Sequence, residues 1–453
     1  MKFGTDGIRG PVATVVTPAV AWALGRALAE LLGGDAIVAV ARDSRTSGPA
    51  LETALHAGLS AGGLRVDRLG ILPTPGLSAL LRARVRRDCN GELAGRWKAG
   101  VMITASHNPP EDNGLKLFGE LGTKPPRRLL DQLGAGIDRW LPEVPAGMPI
   151  LRPPGGTLLW AMRYFHIFQR ACGATGADPF QPLQGLHVIV DCANGAFSTI
   201  APDFLDLLGA KATALNVGAG SHINLGCGSL HPQLLRSKVL ECKADYGIAL
   251  DGDGDRGILV LSDGRILDGD DLLWILGQKL PAGSVVVGTV MTNAGLDVAL
   301  AARSVQVERT PVGDSYVAEA LARHGSSSTE APFLLTGLGG EPSGHILLSP
   351  WIPCADGLLA TVCAILALRA GADAQWPRQP QLLQNLRFPA GIPSADELQR
   401  RIADLTAELE GRGTRVVVRP SGTEPLVRVM VEHPQLAEAE AALIRLCAAL
   451  QAT

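Results

Sequence analysis

The sequence lacks paired cysteines and long apolar runs. Its 8 cysteines are scattered with no Cys-x-x-Cys pair, which argues against a disulfide framework or a zinc site and favours reduced thiols. The longest nearly uninterrupted apolar run, 358–368, is about half as long as a membrane span. The chain also opens without an apolar export segment. These features predict a cytoplasmic protein with no membrane partner.

The sequence also has no large excess of positive or negative charge. Lys plus Arg number 41 and Asp plus Glu 44, so the formal net charge is −3. Such a chain has no overall attraction for nucleic acid, which we therefore do not expect as a partner, and any anion site must be local. Aromatic residues make up only 4% while Gly and Pro number 54 and 31, which favours many short connections over a long helical bundle.

The 453 residues do contain short β-branched runs that alternate with helical patterns. This alternation predicts an α/β fold with largely parallel sheets. Segments rich in Pro and Gly, at 142–156 and 370–380, predict connectors between domains. The predicted strands are 36–41, 101–104, 187–190, 257–261 and 284–288, and the predicted helices are 17–32, 49–61 and 200–208.

The last part of the chain differs in character. From about residue 386 the patterns predict a helix over 394–409, strands over 414–418 and 426–432, and a closing helix over 435–450. This order predicts a small α+β domain.

The segment DGDGDRG at 251–257 carries the most chemical information. Its glycines match the dinucleotide pattern G-x-G-x-x-G, but a pyrophosphate needs bare amides leading into a helix, and here carboxylates intervene and a strand follows. Asp251, Asp253 and Asp255 stand at alternate positions of a tight loop after an apolar run. Three like charges so close need a hard divalent cation, for which Mg²⁺ is the best candidate. The alternative is a solvated acidic turn.

A serine loop, TASHNPP at 104–110, follows the predicted strand 101–104. A serine at a strand end is presented outward, so Ser106 is a candidate to carry a phosphoryl group beside the metal. The pattern G-x-S-x-G of hydrolases is absent. The alternative is a simple Ser/Asn turn.

The segment RPSGTEP at 419–425 has the groups that bind a phosphate dianion. Arg419 offers a bidentate fork, Ser421 and Thr423 offer hydroxyls, and Gly422 exposes backbone amides. No Walker motif is present, which argues against a P-loop nucleotide. A hairpin turn is the alternative.

Two further segments are weaker signals. In GGEPSGH at 339–345, Glu341, Ser343 and His345 could bind sugar hydroxyls while the glycines permit close backbone approach. In FGTDGIRG at 3–10, Arg9 could approach a phosphate, although an N-terminal turn would explain the same residues.

In this order, and over essentially the whole chain, these segments resemble the α-D-phosphohexomutase superfamily, and within it the bacterial branch that acts on glucosamine phosphate. The segments GTDGIRG, VDCANGA and VGTVMTNAGL support the resemblance. It implies four domains around a central cleft: three α/β domains with mixed sheets, and a smaller C-terminal α+β domain. The expected bounds are 1–150, 151–250, 251–370 and 380–453.

The resemblance also implies a reaction. A phosphoryl group moves from phosphorylated Ser106 to a hexosamine phosphate, and the resulting sugar bisphosphate returns its other phosphoryl group to the serine. Glucosamine 6-phosphate and glucosamine 1-phosphate are thereby interconverted, a step toward UDP-N-acetylglucosamine and cell-wall precursors. The resemblance leaves a homodimer open.

Roles follow by motif match. One Mg²⁺ would be held by Ser106, Asp251, Asp253 and Asp255. The transfer site would be lined by Arg9, His107 and Lys116. The substrate would be bound by Arg256, Glu341, Ser343, His345, Arg419, Ser421, Gly422 and Thr423.

The sequence departs from the family pattern at three positions near the expected sugar site and in one longer stretch. Pro342 replaces a usual Gln, Pro311 a usual basic residue and Ser315 a usual Arg, and 86–98 is longer than usual. We therefore expect glucosamine phosphate to be preferred, with measurable activity on glucose or mannose phosphates. The alternatives are a phosphoglucomutase/phosphomannomutase, an inert phosphosugar-binding relative and an NAD(P)-dependent dehydrogenase.

Overall fold

A computed structural model describes residues 1–4, 7–82, 97–147, 157–173, 177–178, 180–324, 337–349, 352–388, 393–420 and 426–451. It contains four sheets that follow one another along the chain, three with helices between parallel strands and a smaller antiparallel one at the C-terminus. The predicted α/β class with mixed sheets and a small C-terminal α+β unit is confirmed. The stretch 86–98 falls largely outside the described residues.

The first unit is a mixed sheet with helices on both faces. Its elements are β1 (Ile8–Pro11), α1 (Pro18–Leu32), β2 (Ile37–Arg42), α2 (Gly48–Ala61), β3 (Arg65–Ile71), α3 (Thr74–Arg82), β4 (Trp97–Ile103), β5 (Asp112–Gly119) and α4 (Arg127–Trp140). The strand order is β1-β5-β4-β2-β3, with β2 parallel to β3 and β4 and the remaining pairs antiparallel. Helix α1 begins as predicted because the Thr17 hydroxyl accepts the Val20 N–H and Pro18 has no N–H to leave unpaired.

The second unit contains the acidic loop. Its elements are α5 (Thr157–Gly173), β6 (His187–Asp191), α6 (Ala201–Leu207), β7 (Lys211–Leu215), α7 (Gln233–Cys242), β8 (Tyr246–Leu250), β9 (Gly257–Leu261) and β10 (Ile266–Leu267). The strand order is β10-β9-β8-β6-β7, and β8 and β9 form an antiparallel hairpin. The sheet therefore continues past residue 250, the end of the second predicted domain.

The third unit has the strand order β12-β11-β13-β14. Its elements are α8 (Gly269–Gly277), β11 (Val285–Thr289), α9 (Gly295–Ala301), β12 (Gln306–Thr310), α10 (Asp314–His324), β13 (Gly337–Gly340), β14 (Ile346–Ser349) and α11 (Gly357–Arg369). The antiparallel pair β13–β14 brackets the segment that contains Glu341 and His345.

The fourth unit is an antiparallel sheet, ordered β15-β17-β16, packed against two helices. Its elements are β15 (Gln381–Arg387), α12 (Ala395–Gly411), β16 (Arg415–Pro420), β17 (Leu426–Glu432) and α13 (Leu436–Gln451). The Ser394 hydroxyl accepts the Glu397 N–H, so α12 begins where the sequence predicts.

Two features of the core bear on the site. One continuous apolar core joins the first three units and includes Leu77, Tyr164, Phe197 and Leu359. The fourth unit has a core of its own, around Val429. It is therefore built to hold its shape independently of the other three.

The cysteines of the described residues form no disulfide, and five of the seven are buried. In the part of the chain that the structure describes, no helix is long and apolar enough to cross a membrane.

Candidate active site

Ser106 lies in the loop between β4 and β5 and faces the second unit. Its Oγ donates to Oδ2 of Asp251 at 2.6 Å and lies 3.2 Å from Nδ1 of His107 and 3.5 Å from Oδ1 of Asp255. The expectation of an outward serine is wrong, because Ser106 is only 1% exposed. The second unit covers this strand end with its acidic loop.

The acidic loop joins β8 to β9 and brings its three carboxylates together. Asp251, Asp253 and Asp255 are buried, and each offers an oxygen within 4.8 Å of the others. Nζ of Lys116, on β5, donates to Oδ2 of Asp253 at 2.8 Å and to Oδ2 of Asp255 at 2.9 Å. No helix follows the glycines of this loop, so a dinucleotide-binding turn is excluded.

The charges of this cluster are unevenly compensated. Burial raises the pKa of Asp251 well above its usual range, and the charges of Asp255 and Asp253 raise it further. Burial would also raise the pKa of Asp255, but the Lys116 ammonium beside it holds that pKa well below its usual range. A bound cation would supply the compensation that Asp251 lacks.

The residues present fit a hard divalent cation. Oδ1 of Asp253 is buried and has no hydrogen-bond partner among the described residues, whereas Lys116 contacts its other oxygen. The donor set consists of carboxylate oxygens and the Ser106 hydroxyl, which is the chemistry that Mg²⁺ prefers.

Two residues of the expected transfer site, His107 and Arg9, lie near the serine, together with Arg256, which was expected to bind substrate. Burial lowers the pKa of His107 to about 3, and the positive charges of Arg256 and Arg9 lower it further. His107 is therefore an uncharged hydrogen-bond partner of Ser106 near neutral pH. Nη1 of Arg9 lies 3.4 Å from Oδ1 of Asn108, and Nε of Arg256 is buried without a partner among the described residues.

The predicted sugar loop lies beside the acidic loop. Nε2 of His345 is 3.8 Å from Oδ2 of Asp255 and 3.6 Å from Oδ2 of Asp314. Oε1 of Glu341 accepts the Gly313 N–H at 3.1 Å. Within the described part of the chain, Oγ of Ser343 and Nδ1 of His345 are buried without a partner. The loop thus keeps polar atoms that a bound ligand could satisfy.

A lysine that no sequence motif indicated lies at this place. Lys124, which follows β5 in the first unit, forms an ion pair with Asp314 at the start of α10. Arg309 lies near Asp314 in the sequence, but its guanidinium pairs with Asp297 instead. Nη1 and Nη2 of Arg309 donate to Oδ1 and Oδ2 of Asp297, each at 2.6 Å. Lys124 therefore brings a cation to a loop in which Pro311 and Ser315 bring none.

Arg419 lies on β16, opposite Arg428 of β17 in the strand register. Like charges directly opposite each other destabilise a sheet. Burial lowers the pKa of Arg419, Arg428 lowers it further, and Glu341 of the sugar loop opposes the shift. Nε of Arg419 has no partner among the described residues, so a bound anion would stabilise this pair. The predicted phosphate ligands Ser421, Gly422 and Thr423 lie outside the described residues.

The loops of the site touch through backbone atoms. An added Cβ at Gly252 would lie 2.6 Å from the Ser106 carbonyl oxygen. Gly344 has a φ of +86°, and a Cβ there would lie 2.3 Å from the Gly257 carbonyl oxygen. Only glycine permits these approaches, so the serine, acidic and sugar loops are packed directly on one another.

Three family models of known proteins match this chain. The chain matches the family models described as phosphoglucomutase/phosphomannomutase, alpha/beta/alpha domain I, over residues 1–141, alpha/beta/alpha domain III over 268–377, and C-terminal domain over 383–446.

The chain is similar to the phosphoglucosamine mutase of Desulforudis audaxviator, with 40% identity over 463 residues that cover 95% of this chain and 93% of the relative. A solved phosphoglucomutase/phosphomannomutase family protein from Burkholderia thailandensis has a TM-score of 0.76 at 25% identity, covering 99% and 97% of the two chains. An Aspergillus fumigatus N-acetylphosphoglucosamine mutase, solved with GlcNAc-6P and magnesium, has a TM-score of 0.61 at 18% identity, covering 100% and 95%.

Proposed function

Because this chain belongs to the phosphoglucosamine mutases of the phosphohexomutase superfamily, we propose that it moves a phosphoryl group by way of Ser106. The protein is an isomerase that interconverts glucosamine 6-phosphate and glucosamine 1-phosphate. One observation carries the proposal: Oγ of Ser106 lies 2.6 Å from Asp251 of the acidic triad, with the Lys116 ammonium on the other two acids. The serine thus stands where negative charge on a phosphoryl group can be compensated.

The reaction needs two transfers in opposite directions. In the first, the bond between phosphorus and the Ser106 oxygen breaks while the oxygen of the free sugar hydroxyl forms a new bond to phosphorus, and the proton of that hydroxyl ends on the Ser106 oxygen. The product is a sugar bisphosphate. In the second, the Ser106 oxygen forms a bond to the other phosphorus of that intermediate, the bond from this phosphorus to the sugar oxygen breaks, and the serine proton ends on that sugar oxygen. Because phosphoryl transfer depends mainly on positioning and charge compensation, aligned cations promote both steps.

The chain supplies most of this alignment itself. Lys116 orients Asp253 and Asp255, His107 offers an uncharged ring to the serine oxygen, and Arg9 adds positive charge nearby. A Mg²⁺ held by the triad and Ser106 would neutralise the oxygens of the phosphoryl group when bound.

Substrate binding is assigned to the third and fourth units, together with Arg256 of the acidic loop in the second. We assign Glu341, Ser343 and His345 to the sugar hydroxyls, because two buried polar atoms of this loop have no protein partner among the described residues. We assign Arg419 to the phosphate that is not transferred, and its opposition to Arg428 supports an anion there. Arg256, Ser421, Gly422 and Thr423 complete the proposed substrate contacts. The preference for glucosamine over glucose and mannose phosphates stays a prediction.

The test of the proposal is the phosphorylation state and activity of a Ser106→Ala variant. The purified wild type is expected to carry one phosphoryl group on Ser106 by intact mass and peptide mapping. Ser106→Ala should fold, lack that mass and lose nearly all turnover, because no other group can relay the phosphoryl. The matched control is Ser60→Ala, an exposed serine on α2, which should keep both. Turnover by Ser106→Ala at the wild-type rate would contradict the proposal.

A further inference from the structure

We propose that Asn224, a residue of the second unit, is a positioning residue that holds Ser106 in the conformation required for phosphoryl transfer. The inference rests on the proposed function and adds to it a residue that donates its hydrogen bonds to the serine loop. Asn224 lies on the segment after β7 and is 8% exposed.

The side-chain amide of Asn224 crosses from the second unit to the serine loop of the first. Its Nδ2 donates to the carbonyl oxygen of Ser106 at 2.8 Å and to that of Asn108 at 3.0 Å. Since both partners are carbonyl oxygens, the amide nitrogen must be the atom that faces them. Both bonds end on the backbone of the loop, so Asn224 acts on the serine through the peptide that carries it.

Arg45, from the first unit, donates hydrogen bonds to the same two carbonyl oxygens. Its Nη2 donates to Ser106 at 3.0 Å and to Asn108 at 2.8 Å, and its Nη1 donates to the carbonyl of Asp112 at 2.9 Å. The Arg45 side chain is fully buried, and its Nε donates to Asp43 at 3.0 Å. The carbonyl groups of the serine loop are therefore held from both units at once.

These hydrogen bonds from Asn224 and Arg45 are required because the backbone of Ser106 is strained. Its φ is +53°, in the left-handed region that is unfavourable for residues other than glycine. Such a conformation persists only where its surroundings impose it. The carbonyl and the side chain of Ser106 share one Cα, so holding the carbonyl holds Cβ at the position from which Oγ donates to Asp251. Removing one donor leaves the serine oxygen free to depart from that alignment.

The test is an Asn224→Gly variant. The φ of Asn224 is +60°, which glycine adopts without strain, so the substitution deletes the amide and spares the backbone. We expect kcat to fall about 10- to 100-fold, as for a small misplacement of a reacting group, while KM stays within about twofold. Asn224→Asp, which keeps the shape but faces the carbonyls with an oxygen, should lower kcat at least as much.

The matched control is Asn216→Gly on the same segment. Asn216 also has a positive φ, +50°, and its side-chain nitrogen has no partner among the described residues. We expect this variant to keep the wild-type kcat and KM. An equal loss of kcat in the control would mean that the segment acts only through general stability, and a loss in Asn224→Gly confined to KM would mean that Asn224 acts on substrate binding; either result would overturn the inference.

A second readout separates this inference from the proposed function. Dephosphorylated enzyme is mixed with glucose 1,6-bisphosphate, and the mass of the protein is followed with time. Asn224→Gly should acquire its phosphoryl group more slowly than the wild type, by the same factor as kcat falls. Phosphorylation at the wild-type rate would overturn the inference alone. A wild-type enzyme that never acquires the group on Ser106 would instead contradict the proposed function.

Discussion

Three buried carboxylates around one lysine define the site at the scale of single residues. Lys116 contacts Asp253 and Asp255, while Asp251 receives the Ser106 hydroxyl. Oδ1 of Asp253, which has no partner among the residues that the structure describes, is the atom at which a cation gains most, because no hydrogen bond to those residues has to be given up there.

An Asp253→Asn variant should therefore bind Mg²⁺ more weakly than the wild type. The amide keeps the size of the side chain but removes one of three charges, so affinity and kcat should fall together, by about tenfold or more. Isothermal titration with Mg²⁺ and the metal dependence of turnover measure the two effects. Asp263→Asn, which changes an exposed acid just after β9, is the control. Unchanged Mg²⁺ dependence in Asp253→Asn would remove this residue from the proposed metal site.

The residues that could be predicted from the sequence are those whose chemistry is local. The three acids could be predicted because they stand at alternate positions within the seven residues 251–257. Ser106 could be predicted because it lies just after a strand. Arg45 and Asn224 escape such reasoning because they bind backbone carbonyls 61 and 118 residues away, and a carbonyl has no side-chain signature. A signal for Arg45 existed, since it follows β2, which lies next to β4 in the sheet.

At the scale of elements, the joint between the third and fourth units is polar. Arg415 on β16 donates to the carbonyls of Val290 at 2.6 Å and Thr292 at 2.8 Å and pairs with Glu432 on β17, Nε to Oε2, at 2.7 Å. Glu432 also accepts the N–H of Ala294 at 2.6 Å. These bonds hold the small unit to loop 290–294, and among the described residues that unit has an apolar core of its own, an arrangement typical of domains that can move relative to each other.

An Arg415→Met variant should loosen this joint. It leaves the Glu432 side chain, which is 0% exposed, without its cationic partner, at a cost of about 2–3 kcal/mol, less than for a fully buried pair because Arg415 is partly exposed. Faster hydrogen exchange in β15, β16 and β17 and a higher KM are the expected results. Arg445→Met, which removes an exposed pair with Glu408, should change neither. Equal exchange in the two variants would refute this account of the joint.

Strands could be predicted from the sequence where all of their residues are buried. β9 is a continuous apolar run, and its predicted bounds, 257–261, are confirmed. β12 and β15 were missed because their sequences, QVERT and QLLQNLR, are polar, as suits strands at sheet edges. β13, with the sequence GLGG, was missed because glycine has no strand preference, and packing at this position leaves little room for a side chain.

At the scale of the whole molecule, the core shared by three units contains a buried acid. Asp356 begins α11, where its side chain accepts the Leu359 N–H at 3.0 Å and the Tyr164 hydroxyl. Burial raises the pKa of Asp356 to about 7, against an ordinary value of about 4. In the folded protein this acid keeps a proton that the unfolded chain has lost at pH 5 to 7, so raising the pH through this range lowers stability.

An Asp356→Asn variant should remove that dependence. Relative to the wild type, its free energy of unfolding should rise by about 2 kcal/mol between pH 5 and pH 7, because the amide does not titrate and can still accept at the helix start. Chemical unfolding at both pH values measures the difference. Asp373→Asn, an exposed acid in the connector before β15, is the control. A constant difference between Asp356→Asn and wild type at the two pH values would show that Asp356 is ionised in the folded protein throughout.

The glycine contacts between loops restrict how such a protein can be recombined. Gly252 lies against the Ser106 carbonyl and Gly344 against that of Gly257, so loops of the first three units meet with no side chain between them to absorb an offset. A hybrid that takes these units from different relatives would inherit loops whose spacings were selected separately. The C-terminal unit, with its own core and a polar joint at 290–294, can be exchanged whole. Crossovers near residue 380 should therefore preserve the geometry around Ser106, whereas crossovers between the first three units should not.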